Sequence, residues 1–268
     1  MIIDFHTHIF PDRIAAHAVS RLEQSGNIVA ATDGTITSLL SSMDKAGVNM
    51  SVILPVATRP AQFMNIQSFA ESINEQYSDR LISFGGIHPD SANYRKQMNM
   101  IADLGFKGVK IHPDYQGVRI DDIRFLRIIE YACELGLVVI THAGIDISMK
   151  NSVYCPPDKM RKVLDELKPD KMVLAHMGGW GMWDEVYEYL AGENVFLDTA
   201  FIYDTKKKEQ FLKILEKHDP KKILFGSDSP WSDMKKAVNW IKSLSLPQSV
   251  EEAIFSGNAK QLLGIDGT

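Results

Sequence analysis

The sequence predicts an α/β fold, a single closed (β/α)8 TIM barrel of parallel strands with outer helices. Three observations carry that expectation. Short runs rich in β-branched and apolar residues alternate with helical patterns along the whole chain, which is the signature of βαβ units. Eight such runs fit into 268 residues, and a barrel of this kind takes roughly 250. No linker-like or low-complexity segment divides the chain, so one domain over residues 1–268 is expected.

In order, the expected strands are Ile2–His6, Ser51–Pro55, Leu81–Gly85, Gly108–Ile111, Leu137–Thr141, Met172–Ala175, Val195–Asp198 and Ile223–Phe225. Most are short and apolar on both faces, as parallel strands covered by helices must be. Helical stretches between them include Ile36–Ala46, Gln62–Tyr77, Asp121–Leu135, Asp158–Leu167 and Lys206–Lys217. Gly47 and Gly136 follow two of these and suit left-handed C-caps. A doubly wound sheet is the alternative, but it usually carries a Gly-rich phosphate loop after its first strand. Here that strand ends in His6-Thr7-His8, and no glycine follows until Gly26.

With 45% hydrophobic and 24% charged residues, the chain has enough apolar surface to fold into a globular body. Lys plus Arg number 29 against 34 Asp plus Glu, a net charge of −5. That balance gives no general attraction to nucleic acid or to an anionic membrane, leaving a small molecule as the expected partner. No apolar run approaches the ~18 residues of a spanning helix. The opening MIIDFHTHIF lacks the basic and apolar regions of a signal peptide, and Cys133 and Cys155 form no CxxC pair. A reduced, cytoplasmic protein is expected.

The histidines are placed unevenly. Of eight, His6, His8, His88, His112, His142 and His176 fall at or just beyond the C-terminal end of an expected strand; only His17 and His218 do not. In a (β/α)8 barrel those strand ends form the rim on which active sites are built. Imidazoles gathered there point to a metal or to acid–base chemistry. His6 and His8 lie two apart on a strand, so they share a face and can chelate one ion. Taken alone, His-x-His also suits a strand emerging into solvent, and a lone His142 or His176 suits a hydrogen-bonded structural role. The four together favour a metal site.

Asp228, in ILFGSDSPW, stands at the end of the eighth strand, which a closed barrel places beside the first. A carboxylate there can bind the metal and take a proton from metal-bound water, although Gly-Ser-Asp-Ser-Pro is also ordinary turn composition. Lys110, in GFKGVKIHP, ends the fourth strand two residues before His112. Buried near a cation, its amine would lose basicity and could form a carbamate bridging two metals; a lysine that hydrogen-bonds substrate or the rim is equally open. Asp4 shares the parity of His6 and His8 and is a candidate for orienting a metal ligand from behind through a hydrogen bond, or a buried polar residue of the barrel layer.

With those residues assembled, the sequence resembles the amidohydrolase superfamily, in the branch that also holds the aminocarboxymuconate semialdehyde and hydroxybenzoate decarboxylases. The resemblance runs from DFHTH through GFKGVKIHPDYQ, ELGLVVITHAG, LAHMGG and NVFLDTA to FGSDSP and GNAKQLLG. It implies a metal-dependent barrel hydrolase or lyase, with His6, His8, His142 and Asp228 at the metal positions. His176 matches a histidine that acts on substrate in single-metal members and binds a second ion in two-metal members. Lys110 matches the position carbamylated in some two-metal subfamilies. One or two divalent ions, zinc first, are therefore expected, and a homodimer is compatible with the resemblance.

The expected activity is hydrolysis of a small amide, ester or lactone. Metal-bound water is the nucleophile, Asp228 the general base, and His176 steadies the oxyanion when not itself a ligand. The alternative is nonoxidative decarboxylation of a small aromatic or unsaturated acid at the same metal site; a catalytically inactive metal- or ligand-binding barrel is the third reading. Candidate substrate contacts are His88 and His112, with Arg59, Tyr115, Gln116, Arg119, Tyr154, Trp180, Trp183, Tyr203 and Trp231. The aromatics suit a ring, and Arg59 or Arg119 suits a carboxylate. Trp180 and Trp183, three apart at a helix start, should include one that faces the core. The stretch from Ala143 to Pro157, with Met149, Tyr154 and Cys155, is long enough for a lid, and Cys155 is expected to be structural.

Overall fold

The computed structural model describes residues 1–149, 151–203 and 208–265. The strands are β1 (Ile3–Thr7), β2 (Met50–Ile53), β3 (Leu81–Ser83), β4 (Gly85–Gly86), β5 (Gly108–Ile111), β6 (Val138–Thr141), β7 (Met172–Leu174), β8 (Phe196–Asp198) and β9 (Ile223–Leu224). Every pairing is parallel, in the orders β1-β2-β3 and β4-β5-β6-β7-β8-β9. One correction follows: the third expected strand is two pieces. Its first piece pairs with β2 and its second with β5, and Phe84 between them donates its N–H back to the Ile53 carbonyl. The last strand returns beside the first. Phe5 N–H donates to the Phe225 carbonyl at 2.7 Å, Asp228 N–H to the His6 carbonyl at 2.8 Å, and His8 N–H to the Ser229 carbonyl at 2.6 Å. These bonds bring the His6–His8 segment and the Asp228 turn together.

The helices between strands are α1 (Asp12–Gly26), α2 (Ile36–Ala46), α3 (Phe63–Gln76), α4 (Tyr94–Asp103), α5 (Pro113–Gln116), α6 (Ile123–Glu134), α7 (Pro157–Leu167), α8 (Trp183–Tyr189) and α9 (Lys208–Lys217). After β9 come α10 (Met234–Ser243), α11 (Gln248–Glu252) and α12 (Asn258–Leu263). The expected helix from Lys206 begins at Lys208; its first two positions lie outside the described residues. Gly47 caps α2 at φ 72° while Thr35 accepts the Ser38 N–H at its start. Gly136, at φ 67°, follows α6 as expected.

The strands bury both faces. Ile53, Val109, Ile111, Val139, Leu174 and Leu197 pack against helix residues such as Leu39, Ile73, Ile101, Ile128 and Val163 in the larger apolar cluster. Alternate positions, among them Val52, Leu54, Val138, Ile140 and Val173, join Phe5, Phe84 and the α12 residues Ala259, Leu262 and Leu263 in the smaller one. This period of two is the pleat of a parallel sheet with apolar layers on either side. Gly108 has no freedom to be larger, since a Cβ there would stand 2.5 Å from the Phe84 ring and from the Val138 carbonyl. No helix among the described residues is long and apolar enough to cross a membrane.

Candidate metal centre

β1, once bonded to the loop after β9, presents His6 and His8 to Asp228. His6 Nε2 and His8 Nε2 are 3.1 Å apart, and Asp228 Oδ1 is 3.4 Å from the first and 3.2 Å from the second. The other ring nitrogens fix what these atoms are. His8 Nδ1 lies 2.9 Å from the Leu54 carbonyl, which only accepts, so Nδ1 carries the proton and a neutral ring leaves Nε2 bare. His6 Nδ1 lies 2.7 Å from Asp198 Oδ2. Burial raises the Asp198 pKa, but its Oδ1 accepts N–H bonds from His176 and Ala200 at 2.9 and 3.0 Å, which pull the other way; as a carboxylate it takes the proton of His6 Nδ1.

Two imidazole lone pairs and a carboxylate oxygen therefore face one another with no proton between them. Such a triangle is repulsive until a cation fills it, and ligands about 2.1 Å from a tetrahedral ion stand roughly 3.4 Å apart. The residues fit a divalent metal. Burial holds His6 well below the usual imidazole pKa, and the Lys110 ammonium adds to that effect, which keeps the ring unprotonated and ready to ligate. Asp228 feels burial upward, but the neighbouring His8, His6 and His176 imidazoles bring it below the ordinary carboxylate value.

His176 and His142 extend the site. His176 Nδ1 lies 2.9 Å from the Ala200 carbonyl and so donates to it; its Nε2 is 3.1 Å from His142 Nδ1. A neutral His176 must accept there, so His142 Nδ1 donates. That leaves His142 Nε2 as a bare lone pair, and it is buried with no hydrogen-bond partner. An unpartnered buried acceptor is costly, and a metal ligand is a role that would satisfy it. Burial holds the His142 pKa well down, with His112 and His176 adding to it.

Beyond His142 the rings stack. His112 lies flat on His142, centroids 4.4 Å apart and planes 7° apart, and flat on Tyr115 at 4.0 Å and 3°. Asp146 joins this group, its Oδ2 being 3.6 Å from His112 Nε2. His112, His142 and Asp146 could be taken for a second metal group, but the stack argues otherwise. Lone pairs lie in the ring planes, and parallel planes that far apart do not converge on one ion. His112 Nδ1 moreover accepts the Tyr115 N–H at 3.3 Å, so its Nε2 carries a proton.

Lys110 is fully buried near this cluster, its pKa pushed down to about 8 by burial against the pull of Asp198 and Asp228. Asp4 does not touch an imidazole. Its Oδ1 accepts the N–H groups of His6 and Ser227 at 3.1 and 2.9 Å, tying β1 to the Asp228 loop. Two residues at the site adopt left-handed backbone, His176 at φ 58° and Asp228 at φ 69°, a strain of about 1–3 kcal/mol each that the surrounding bonds hold in place.

Among the expected substrate contacts, Tyr115 belongs to the stack and accepts from the Ser148 hydroxyl at 3.3 Å. Trp231 follows the Asp228 turn, its N–H on the Asp228 carbonyl and its ring 6.3 Å from Phe10. Trp180 precedes α8, its ring 6.3 Å from Phe201, while Trp183 packs against the core and donates to the His176 carbonyl. Tyr203 accepts the Asp233 N–H at 3.5 Å. The structure does not gather the rest. Arg59 is exposed at the start of a short helical turn, and exposed Arg119 pairs with Asp121. His88 accepts the Asp90 N–H. Gln116 donates to the Ala57 and Ile87 carbonyls as a buried strut. Tyr154 is pinned through its N–H to Asp114, and Cys155 is buried with its thiol pushed up by burial. The stretch holding Met149 and Tyr154 is tied down where Gly144 bridges Trp180.

Sequence reasoning missed Asp198 and Asp146. Asp198 stands at a strand end in NVFLDTA, which was the available signal; Asp146, in an irregular segment four residues after His142, offered none beyond its charge.

Comparison with known proteins agrees with this architecture. The Amidohydrolase family model matches residues 3–265. Among solved structures, 2,6-dihydroxybenzoate decarboxylase from Rhizobium superposes with a TM-score of 0.75 at 15% identity, over 99% of each chain. 5-Carboxyvanillate decarboxylase from Sphingomonas paucimobilis gives 0.72 at 17%, over 98% of each. Dihydroxybenzoic acid decarboxylase from Polaromonas, with bound manganese and the inhibitor 2-nitroresorcinol, gives 0.74 at 14%, over 100% of this chain and 98% of that one. No curated protein matches. The match over almost the whole length places the chain in the amidohydrolase family.

Proposed function

We propose that the protein is a metal-dependent nonoxidative decarboxylase of a small ring carboxylic acid. The observation that carries this reading is the full-length likeness to three ring-acid decarboxylases. It favours the lyase over the hydrolysis that the sequence put first. His6, His8 and Asp228, with His142 as the fourth donor, would hold one divalent cation. Zinc was the first expectation; manganese is the ion of the Polaromonas structure, and we take it first here. When bound, the cation supplies positive charge that polarises the substrate's oxygens.

The chain's own residues have three tasks. Asp198 holds His6 in the tautomer that leaves Nε2 bare. The flat stack of Tyr115, His112 and His142 offers a fixed wall for a planar ring. Loss of carbon dioxide leaves the bonding electron pair on the ring carbon, so a proton must arrive there. That proton comes from solvent, and our assignment has Asp228 relay it to the carbon, with His176 beside it as the alternative carrier. The test is incubation of the metal-loaded protein with ring acids carrying a ¹³C-labelled carboxyl group in H₂¹⁸O. Labelled carbon dioxide without ¹⁸O in the product is expected; ¹⁸O in the product without carbon dioxide would mean hydrolysis.

A further inference from the structure

We propose that Asp146 is a positioning residue for the metal donor His142. By pinning Tyr115 it fixes the stacked His112 ring, which in turn holds His142 in the plane from which Nε2 can ligate. The inference rests on the metal set proposed above and deepens it, whichever reaction that set performs.

His142 needs two constraints to aim a lone pair. Its Nδ1 edge is held by His176 Nε2 at 3.1 Å, but one hydrogen bond leaves the ring free to turn about that contact. A lone pair lies in the ring plane, so such a turn swings Nε2 away from any fixed ion. Nε2 itself is buried with no partner, and no hydrogen bond at that edge stops the turn. The second constraint is a face. His112 lies flat on His142, with 4.4 Å between centroids and 7° between planes.

His112 serves as that face only if it is fixed in turn. Its backbone N–H donates to Gln116 Oε1 at 2.9 Å, and its Nδ1 accepts the Tyr115 N–H at 3.3 Å. The Tyr115 ring covers its other face at 4.0 Å and 3°. Tyr115 is anchored at its far end by Asp146, which its hydroxyl hydrogen-bonds; burial and the Asp146 charge keep that hydroxyl protonated and able to donate. Ser148 fixes the carboxylate, its N–H and hydroxyl lying 2.8 and 2.5 Å from Asp146 Oδ1. Asp146 Oδ2 is 3.6 Å from His112 Nε2, too far for a hydrogen bond but near enough for its charge to attract that N–H edge.

Asp146 is four residues beyond His142, and Tyr115 three beyond His112. The contacts therefore close a loop: along the chain from His142 to Asp146, across to Tyr115, back to His112, and through the stack to His142. Asp146 is 5% exposed. A carboxylate so buried costs stability unless its charge is used, and these contacts all serve the stack or the segment that bears His142.

The experiment is Co²⁺ uptake by the full-length, metal-free protein. Competition with a fluorescent chelator gives the affinity, and the visible absorption of the bound ion reports its donors. Asp146→Asn removes the charge at nearly constant size, and Tyr115→Phe keeps the ring but deletes its anchor. Each should weaken Co²⁺ binding about tenfold and alter the visible band, with circular dichroism showing a retained fold. In a His142→Ala background, Asp146→Asn should change the affinity less than about twofold, because its route to the ion is gone. The proposal is overturned if both single variants bind within about threefold of wild type with an unchanged band. It is equally overturned if Asp146→Asn weakens binding as much without His142 as with it, the mark of a merely structural carboxylate. The failures are distinguishable. Undiminished affinity in His142→Ala removes His142 from the metal set and this proposal with it; a loss there but none in Asp146→Asn removes the positioning role alone. Neither outcome bears on carbon dioxide release, which the labelled-carboxyl experiment decides.

Discussion

Asp198→Asn separates a carboxylate that tunes a metal ligand from one that merely fills space. Asp198 Oδ1 serves the His176 and Ala200 N–H groups, and Oδ2 takes the His6 Nδ1 proton at 2.7 Å. An asparagine that keeps its oxygen on the two backbone donors must turn its NH₂ toward His6. Nδ1 then becomes the acceptor and the proton moves to Nε2, the atom that should face the ion. The flipped amide is no better, because its NH₂ then meets two N–H donors. Loss of a supporting hydrogen bond of this kind costs about 10–100-fold in metal affinity, or about 1.4–2.7 kcal/mol. The enforced tautomer puts this variant at the upper end. Competition between the protein and a fluorescent chelator measures it, with circular dichroism showing that the fold persists. Metal affinity within about threefold of wild type would refute the claim that Asp198 sets the His6 tautomer.

Three further outcomes follow from the same geometry. Lys110→Met should keep one ion per chain by elemental analysis and should not weaken binding, since it removes a buried positive charge; loss of an ion would instead make Lys110 a carbamate ligand. In metal-free protein, acidification through pH 6.5 should lower the thermal midpoint. His6, His88, His112, His142 and His218 are all held below 6.5 in the fold, so the unfolded chain binds more protons there and gains stability as pH falls. Asp4 and Asp114, raised by burial to about 7, and Asp198, also raised, oppose this as pH falls from about 7 toward 3.8, but they are fewer; an equal or higher midpoint at pH 5.5 than at 7.5 would contradict the balance. Gly144→Ala would set a Cβ 2.2 Å from the Trp180 nitrogen at φ 85°, and urea unfolding should show a loss of about 3 kcal/mol or more.

The chain's local patterns made the strands, their parallel pairing and the His6, His8 and Asp228 grouping legible, because a barrel puts every strand end on one rim and the eighth strand beside the first. The break at Phe84 was not legible, since five apolar or small residues read as one run until the register to β2 and β5 is seen. Asp198 and Asp146 escaped for a different reason. Their partners, His6 and His112, lie 192 and 34 residues away in the chain, and nothing local marks a carboxylate whose importance is a distant imidazole. Arg59 and Arg119 show the converse: a suitable charge in a rim loop, which the fold leaves in solvent.

The most direct test of the central claim is ¹H NMR of the reaction in D₂O, run on manganese-loaded and chelator-treated protein with hydroxylated ring acids. The account predicts a decarboxylated ring with deuterium at the vacated carbon, formed by the loaded protein alone. A product that retains its carboxyl carbon, or turnover that persists after the metal is removed, would contradict it.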